Sequence, residues 1–168
     1  ALMQWVEGKR PFPKAQPPHS CDAGLWGKPT VLNNAETWAT VPSIIKKGAD
    51  WYAAMGNENA QGCKVWAISG NIKYNGLMEL DMKTTFAEAI NDYCGGIQKK
   101  KELKLIHVGG VTGGFLPPEK ADTATDYESL IDAGVLMGQA SFAAYDDSAC
   151  VIDLSLFSIG FNEGETCG

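Results

Sequence analysis

The feature that most constrains this chain is a change of hydrophobic period between residues 63 and 146. Lys64-Val65-Trp66-Ala67-Ile68-Ser69 alternates as a strand does, and Gly76-Leu77-Met78-Glu79-Leu80-Asp81-Met82 reads as its hairpin partner. Residues 71–75, rich in Asn and Lys, form the turn between them. Thr85-Phe86-Ala87-Glu88 then has capping-box spacing and starts a helix that runs to about Tyr93, where Gly95-Gly96 stops it. Within that helix Phe86, Ala89 and Ile90 share the face expected to meet a sheet. Leu103 to Val108 is a third strand that ends in glycines. Asp126 to Asp132 is a short helix, and Phe142 to Tyr145 a final strand.

Hairpin, helix, strand and later strand, in that order, describe an α+β fold of the β-grasp (ubiquitin-like) kind. What precedes it is different. Pro11, Pro13, Pro17, Pro18 and Pro29 interrupt any helix over residues 9–32, which read as a connector. A helix follows from about Asn34, capped by Asn33 or Asn34, with Trp38, Val41, Ile44 and Ile45 on one side. Pro42 should kink or restart it. A last helix spans about 149–163, with Ile152, Leu156, Ile159 and Phe157 expected on its buried side.

Composition removes several function classes. The net charge of −6 argues against nucleic acid or an anionic membrane as partner. No apolar run approaches the roughly 18 residues that a membrane-spanning helix needs, so direct membrane insertion is not expected. Five irregularly spaced cysteines contain no CxxC pair and fit reduced thiols in a cytoplasmic protein better than a disulfide framework. Cys63, Cys94 and Cys150 lie in apolar surroundings and are expected in the core. Lys99-Lys100-Lys101 reads as an exposed, solubilising turn, and His19 and His107 as structural residues.

Two motifs could bind a phosphate. Asn33, Asn34 and Thr37 offer uncharged donors at a helix start, where free N–H groups and the helix dipole favour an anion. Gly109 to Gly114 is glycine-rich but lacks a following Lys-Ser or Lys-Thr and is not GxGxxG. Its glycines are expected to serve a sharp bend and close backbone approach instead.

The stretch Gly27-Lys28-Pro29-Thr30-Val31-Leu32-Asn33-Asn34-Ala35-Glu36-Thr37 resembles the flavin-binding subunit of respiratory NADH dehydrogenase (complex I) and of the related NAD-linked hydrogenases and formate dehydrogenases. Further matches, in order, are Glu7-Gly8-Lys9-Arg10, Gly48-Ala49-Asp50-Trp51, Gly109-Gly110-Val111-Thr112-Gly113-Gly114, Asp126-Tyr127-Glu128-Ser129-Leu130, Met137-Gly138 and Glu165-Thr166-Cys167-Gly168. Where that family usually carries Pro-Ser and Ser-Gly-Gly, this chain has Val111-Thr112 and Gln139-Ala140-Ser141.

The resemblance implies an internal fragment of such a subunit, cut at both ends. Residues 1–62 would be the end of a flavin-binding domain with its connector. Residues 63–147 would be a soluble-ligand-binding β-grasp domain, and 148–168 a helix leading into a truncated iron–sulfur domain. It also implies that Leu32, Asn33, Asn34 and Thr37 lie beside FMN, and that Cys167 is the first ligand of a [4Fe-4S] cluster. NADH would be the parent's substrate and other electron-transfer subunits its partners. The chain alone is expected to be inactive and to hold neither cofactor, since one thiolate cannot hold a cluster. A free-standing β-grasp module that binds a small ligand is the alternative reading.

Overall fold

The computed structural model describes residues 1–12 and 16–165. The chain forms two compact units, Ala1–Lys46 and everything from Lys47 onward.

The first unit contains α1 (Leu2–Val6), α2 (Ser20–Ala23) and most of α3 (Ala35–Lys47). Pro42 lies inside α3, but the helix runs through it without a restart. No described residue of this unit is buried. Val41 and Ile44 are half-buried on the expected apolar face of α3, while Trp38 and Ile45 are 49% and 80% exposed.

The second unit is α+β. Its elements are α4 (Ala49–Ala53), β1 (Cys63–Gly70), β2 (Gly76–Asp81), α5 (Phe86–Glu88), β3 (Leu103–Val108), β4 (Gly114–Leu116), α6 (Tyr127–Ala133), β5 (Ser141–Asp146) and α7 (Val151–Glu165). The five strands make one mixed sheet in the order β2-β1-β5-β3-β4. β1 and β2 form the expected antiparallel hairpin, with Cys63 opposite Asp81 and Ile68 opposite Gly76. β5 lies parallel to β1 and antiparallel to β3, which closes the centre of the sheet.

The helix after β2 starts as its sequence demands. Thr85 Oγ accepts from Glu88 N at 3.2 Å, and Glu88 Oε2 accepts from Thr85 N at 2.9 Å, so both halves of the capping box are made. The helix then widens into a π-turn over Ala89–Tyr93, where Cys94 N donates to Ala89 O at 3.0 Å. Gly95 and Gly96, with φ of 73° and 80°, end it. Phe86, Ala89 and Ile90 face the sheet and are almost fully buried. Phe86 meets Trp66 and Phe142 edge-on, with ring centroids 5.9 Å and 5.1 Å away. Ile68, Ile106, Val108 and Ala144 complete the layer beneath them.

A buried carboxylate fixes the loop before β1 and the start of α6. Asp126 caps α6 by accepting from Ser129 N at 2.9 Å and from Ser129 Oγ at 2.7 Å. It also accepts from Asn57 Nδ2 at 2.8 Å. Burial works to raise its pKa, but these hydrogen bonds outweigh it and hold the carboxyl below its usual range. The stability it contributes is therefore present above about pH 4 and is lost as pH falls through its folded-state value.

Three expectations need correction. Ile152, Leu156, Phe157 and Ile159 are 60–70% exposed, and the inward side of α7 carries Leu154, Ser155 and Ser158 instead. The helix is apolar nearly all round, so its periodicity does not choose a buried side. Cys150 is exposed and Cys63 only partly buried; of the three, Cys94 alone is in the core. Lys101 is not a free surface charge, because its Nζ lies 3.2 Å from Asp146 and 3.3 Å from Asp147. The glycine run makes the expected close backbone approach, and β4, which no alternation announces, emerges directly from it.

That glycine run crosses the segment before β5 at very close range. A Cβ at Gly109 would lie 2.5 Å from Leu136 O, and one at Gly138 would lie 2.3 Å from Gly109 O. Gly138 also has φ of +53°, in the left-handed region. Ala140, two residues on, occupies the same region at +50°.

This packing sets the cost of substitutions on both sides of the sheet. Ile90→Ala should cost about 2–4 kcal/mol in urea-induced unfolding, because it opens a cavity under the helix. Gly138→Ala should lose at least about 2 kcal/mol, since strain and a backbone clash add. Ala140→Gly should instead stay within about 1 kcal/mol of the parent, because relief of strain offsets a lost buried methyl and added chain entropy. Equal losses at positions 138 and 140 would contradict this account of the crossing.

Candidate functional site

The start of α3 is the candidate site. Asn34 precedes the helix, and its Oδ1 accepts from Glu36 N at 2.9 Å. Its backbone carbonyl takes the first helical bond, from Trp38 N at 3.2 Å. Asn34 is thus the capping residue, and Asn33 is not. Capping uses only the amide oxygen of Asn34, and its NH2 group keeps both donors. Asn33, Asn34 and Thr37 are all exposed, as is Leu32 at 53%. Asn34 and Thr37 are three residues apart and so lie on one face of the helix end. Other first-turn N–H groups have no partner within the helix. The structure therefore gathers two amides, one hydroxyl and an N–H-rich helix end on an open surface, next to the exposed apolar side chains of Val31 and Trp38.

A second feature of the same unit has no signature in the sequence. Glu7 Oε1 accepts from Trp26 N, and Glu7 Oε2 pairs with Lys9 Nζ at 2.6 Å. Glu7-Gly8-Lys9-Arg10 is thereby tied to the beginning of the Gly27-Lys28-Pro29 stretch. A hollow of about 260 Å³ lies there, lined by Gln4, Glu7, Lys9, Gly24 and Trp26 among others. The separation of nineteen residues between Glu7 and Trp26 hides the pairing from any local pattern.

Cys167, the expected cluster ligand, lies outside the described residues. Among those residues, no group of three or more His, Cys, Asp or Glu side chains is placed to hold a metal ion. Cys94 is buried, which pushes its thiol pKa up, away from thiolate chemistry. Cys63 donates to Glu79 Oε1 at 2.7 Å. The glycine crossing in the second unit leaves a hollow of about 290 Å³, lined by Gly109, Thr112, Gly114, Val135, Leu136 and neighbouring glycines. No charged side chain lines it, in keeping with a packing role for that motif.

No protein-family model matches the chain. Similar proteins do. The NADP-reducing hydrogenase subunit HndC of Solidesulfovibrio fructosivorans is 39% identical over 168 residues, which are 100% of this chain and 34% of that protein. The F 2 subunit of NADH-quinone oxidoreductase from Rhizobium meliloti (strain 1021) is 35% identical over 168 residues, again 100% of this chain and 40% of the relative. The F subunit of the same enzyme from Mycobacterium tuberculosis (strain ATCC 25618 / H37Rv) is 37% identical over 168 residues and is covered to 38%. Among solved structures, an NAD+-reducing [NiFe]-hydrogenase in the H2-reduced state superposes with a TM-score of 0.79 at 26% identity, over 99% of this chain and 28% of that one. The chain thus spans well under half the length of these relatives. Over all of its own length it is homologous to part of the protein family that includes the F subunits of NADH-quinone oxidoreductase and the hydrogenase protein HndC.

Proposed function

We propose that this chain is an internal part of an NADH-oxidising flavoprotein subunit, with no catalytic activity of its own. The observation that carries the reading is the unbroken match of all 168 residues to HndC and to the F subunits of NADH-quinone oxidoreductase. The proposed domains are residues 1–62 as the end of a flavin-binding domain, 63–147 as a β-grasp domain, and 148–168 as the approach to an iron–sulfur domain. Support for the β-grasp assignment comes from the hairpin, the strand order, the helix that packs Phe86 and Ile90 on one sheet face, and the parallel pairing of β1 with β5.

Leu32, Asn33, Asn34 and Thr37 are the proposed contacts to FMN. The donor set fits the group: amide and hydroxyl donors suit phosphate and ribityl oxygens without adding charge, and the end of the 13-residue α3 favours the phosphate. Asn34 acts twice in this scheme, fixing the helix start with its oxygen and presenting its NH2 outward. Leu32 offers apolar surface beside it. When bound, FMN supplies the exchange of electron pairs with NADH for single electrons. Cys167 is the proposed first thiolate of a [4Fe-4S] cluster.

Other electron-transfer subunits are the proposed partners, and the cytoplasm the proposed location. No helix among the described residues is long and apolar enough to cross a membrane.

The test uses a full-length subunit that carries this sequence. The double variant Asn34→Ala, Thr37→Ala should release FMN more readily, with Kd raised roughly tenfold or more by the loss of two hydrogen bonds. Flavin fluorescence on dilution reads this directly. If the double variant holds FMN as tightly as the parent, these residues do not bind it.

A further inference from the structure

The stretch that carries the proposed flavin contacts is held at its start by groups far from it in sequence. Gln4 and Glu7 stand three residues apart where α1 ends, and so share one face. Each accepts a main-chain N–H from beyond the helix. Gln4 Oε1 accepts from Phe12 N at 2.9 Å, and Glu7 Oε1 accepts from Trp26 N. The Glu7 side chain is only 9% exposed. Lys9, its ion-pair partner, is largely in solvent, so that pair contributes little.

Trp26 needs such a partner. Its backbone lies at φ 50° and ψ 32°, in the left-handed region, which is an outlier for a bulky residue. The residue is 67% exposed, so burial of the indole does not hold it there. Strained conformations persist only where the surrounding structure enforces them. A carboxylate that accepts a main-chain N–H makes a strong, charge-assisted bond of the kind required.

Trp26 also sits inside a closed loop. Gly24 N donates to Lys28 O at 2.8 Å, and Leu25 N donates to Thr30 Oγ1 at 2.9 Å. Thr30 Oγ1 donates in turn to Lys28 O at 2.9 Å, and Thr30 N to Ser20 O at 2.9 Å. A return of Trp26 to an ordinary conformation would open this loop. Beyond Thr30, Val31, Leu32 and Asn33 lead straight to the capping Asn34, so the loop sets where α3 begins.

We infer that Glu7 is a positioning residue for the flavin site. It holds Trp26 in the left-handed conformation, which closes the loop over residues 24–30 and fixes the placement of Asn33, Asn34 and Thr37. Glu7 acts through the Trp26 main chain, and this role rests on the flavin reading of those three residues.

The test measures FMN binding, by flavin fluorescence, in a full-length subunit that carries this sequence. Glu7→Ala should raise the FMN Kd about tenfold, the effect of one charge-assisted hydrogen bond. Glu7→Asp, one methylene shorter, withdraws the carboxylate from Trp26 N and should do the same; it serves if Glu7→Ala does not fold. Glu7→Gln keeps an acceptor for Trp26 N and should stay within about threefold of the parent. Coupling to Trp26 separates positioning from general stabilisation. Asn tolerates the left-handed region, so in a Trp26→Asn background Glu7→Ala should cost less than about threefold. Unchanged Kd in Glu7→Ala or Glu7→Asp would overturn the role of Glu7. So would equal losses in Glu7→Gln and Glu7→Ala, or the full loss persisting beside Trp26→Asn. If Asn34→Ala, Thr37→Ala weakens FMN binding and the Glu7 variants do not, the flavin reading stands and the positioning role falls. If that double variant also holds FMN as tightly as the parent, both fall.

Discussion

The fold from Lys47 onward centres on one cluster of three aromatic rings. Phe86 stands at the start of the helix across the sheet and packs against Trp66 of β1 and Phe142 of β5. Trp66 and Phe142 are themselves 5.9 Å apart. The three rings therefore join the helix to the central strand β5 and its neighbour β1, which pair in parallel and lie far apart in sequence. Each large side chain so buried contributes roughly 1.5–3 kcal/mol. The capping box at Thr85 places Phe86 at the first position of the helix, which connects a local sequence signal to the central packing event.

Much of this is legible in the sequence because the signals are local. The alternation around Trp66, the Asn-rich turn and the capping box each act within a few residues, and the hairpin and helix lie where they point. Features decided at long range are not legible. β4 has three residues and follows glycines, so no alternation can develop. Lys101 belongs to a run of lysines, yet the fold brings it to Asp146 and Asp147. The buried side of α7 is hidden because leucine, isoleucine and phenylalanine surround the helix, while its inward side mixes Leu154 with Ser155 and Ser158.

The candidate sites divide in the same way. Capping at Asn34 follows from residue type and position, and its bond to Glu36 N is local. The tie between Glu7 and Trp26 and the unpaired nitrogen of His107 depend on contacts that sequence spacing does not encode. A histidine in an apolar strand reads as structural. Only the folded structure shows that its nitrogen is buried and lacks a partner among the described residues.

The two units differ sharply in what they bury. The sheet unit has a continuous core from Trp66 to Ala144. Residues 1–46 bury none of their described side chains, and Leu2, Trp5, Trp26, Val31 and Leu32 are each more than half exposed. Such apolar surface is expected of a segment whose stabilising contacts lie in a larger protein. The sheet unit therefore carries the stability of this chain, and native-state hydrogen exchange tests that most directly. Amides of β1, β3 and β5 should exchange only through global unfolding, while those of α3 should exchange far faster through local opening. Protection of α3 equal to that of β1 would contradict this division of stability.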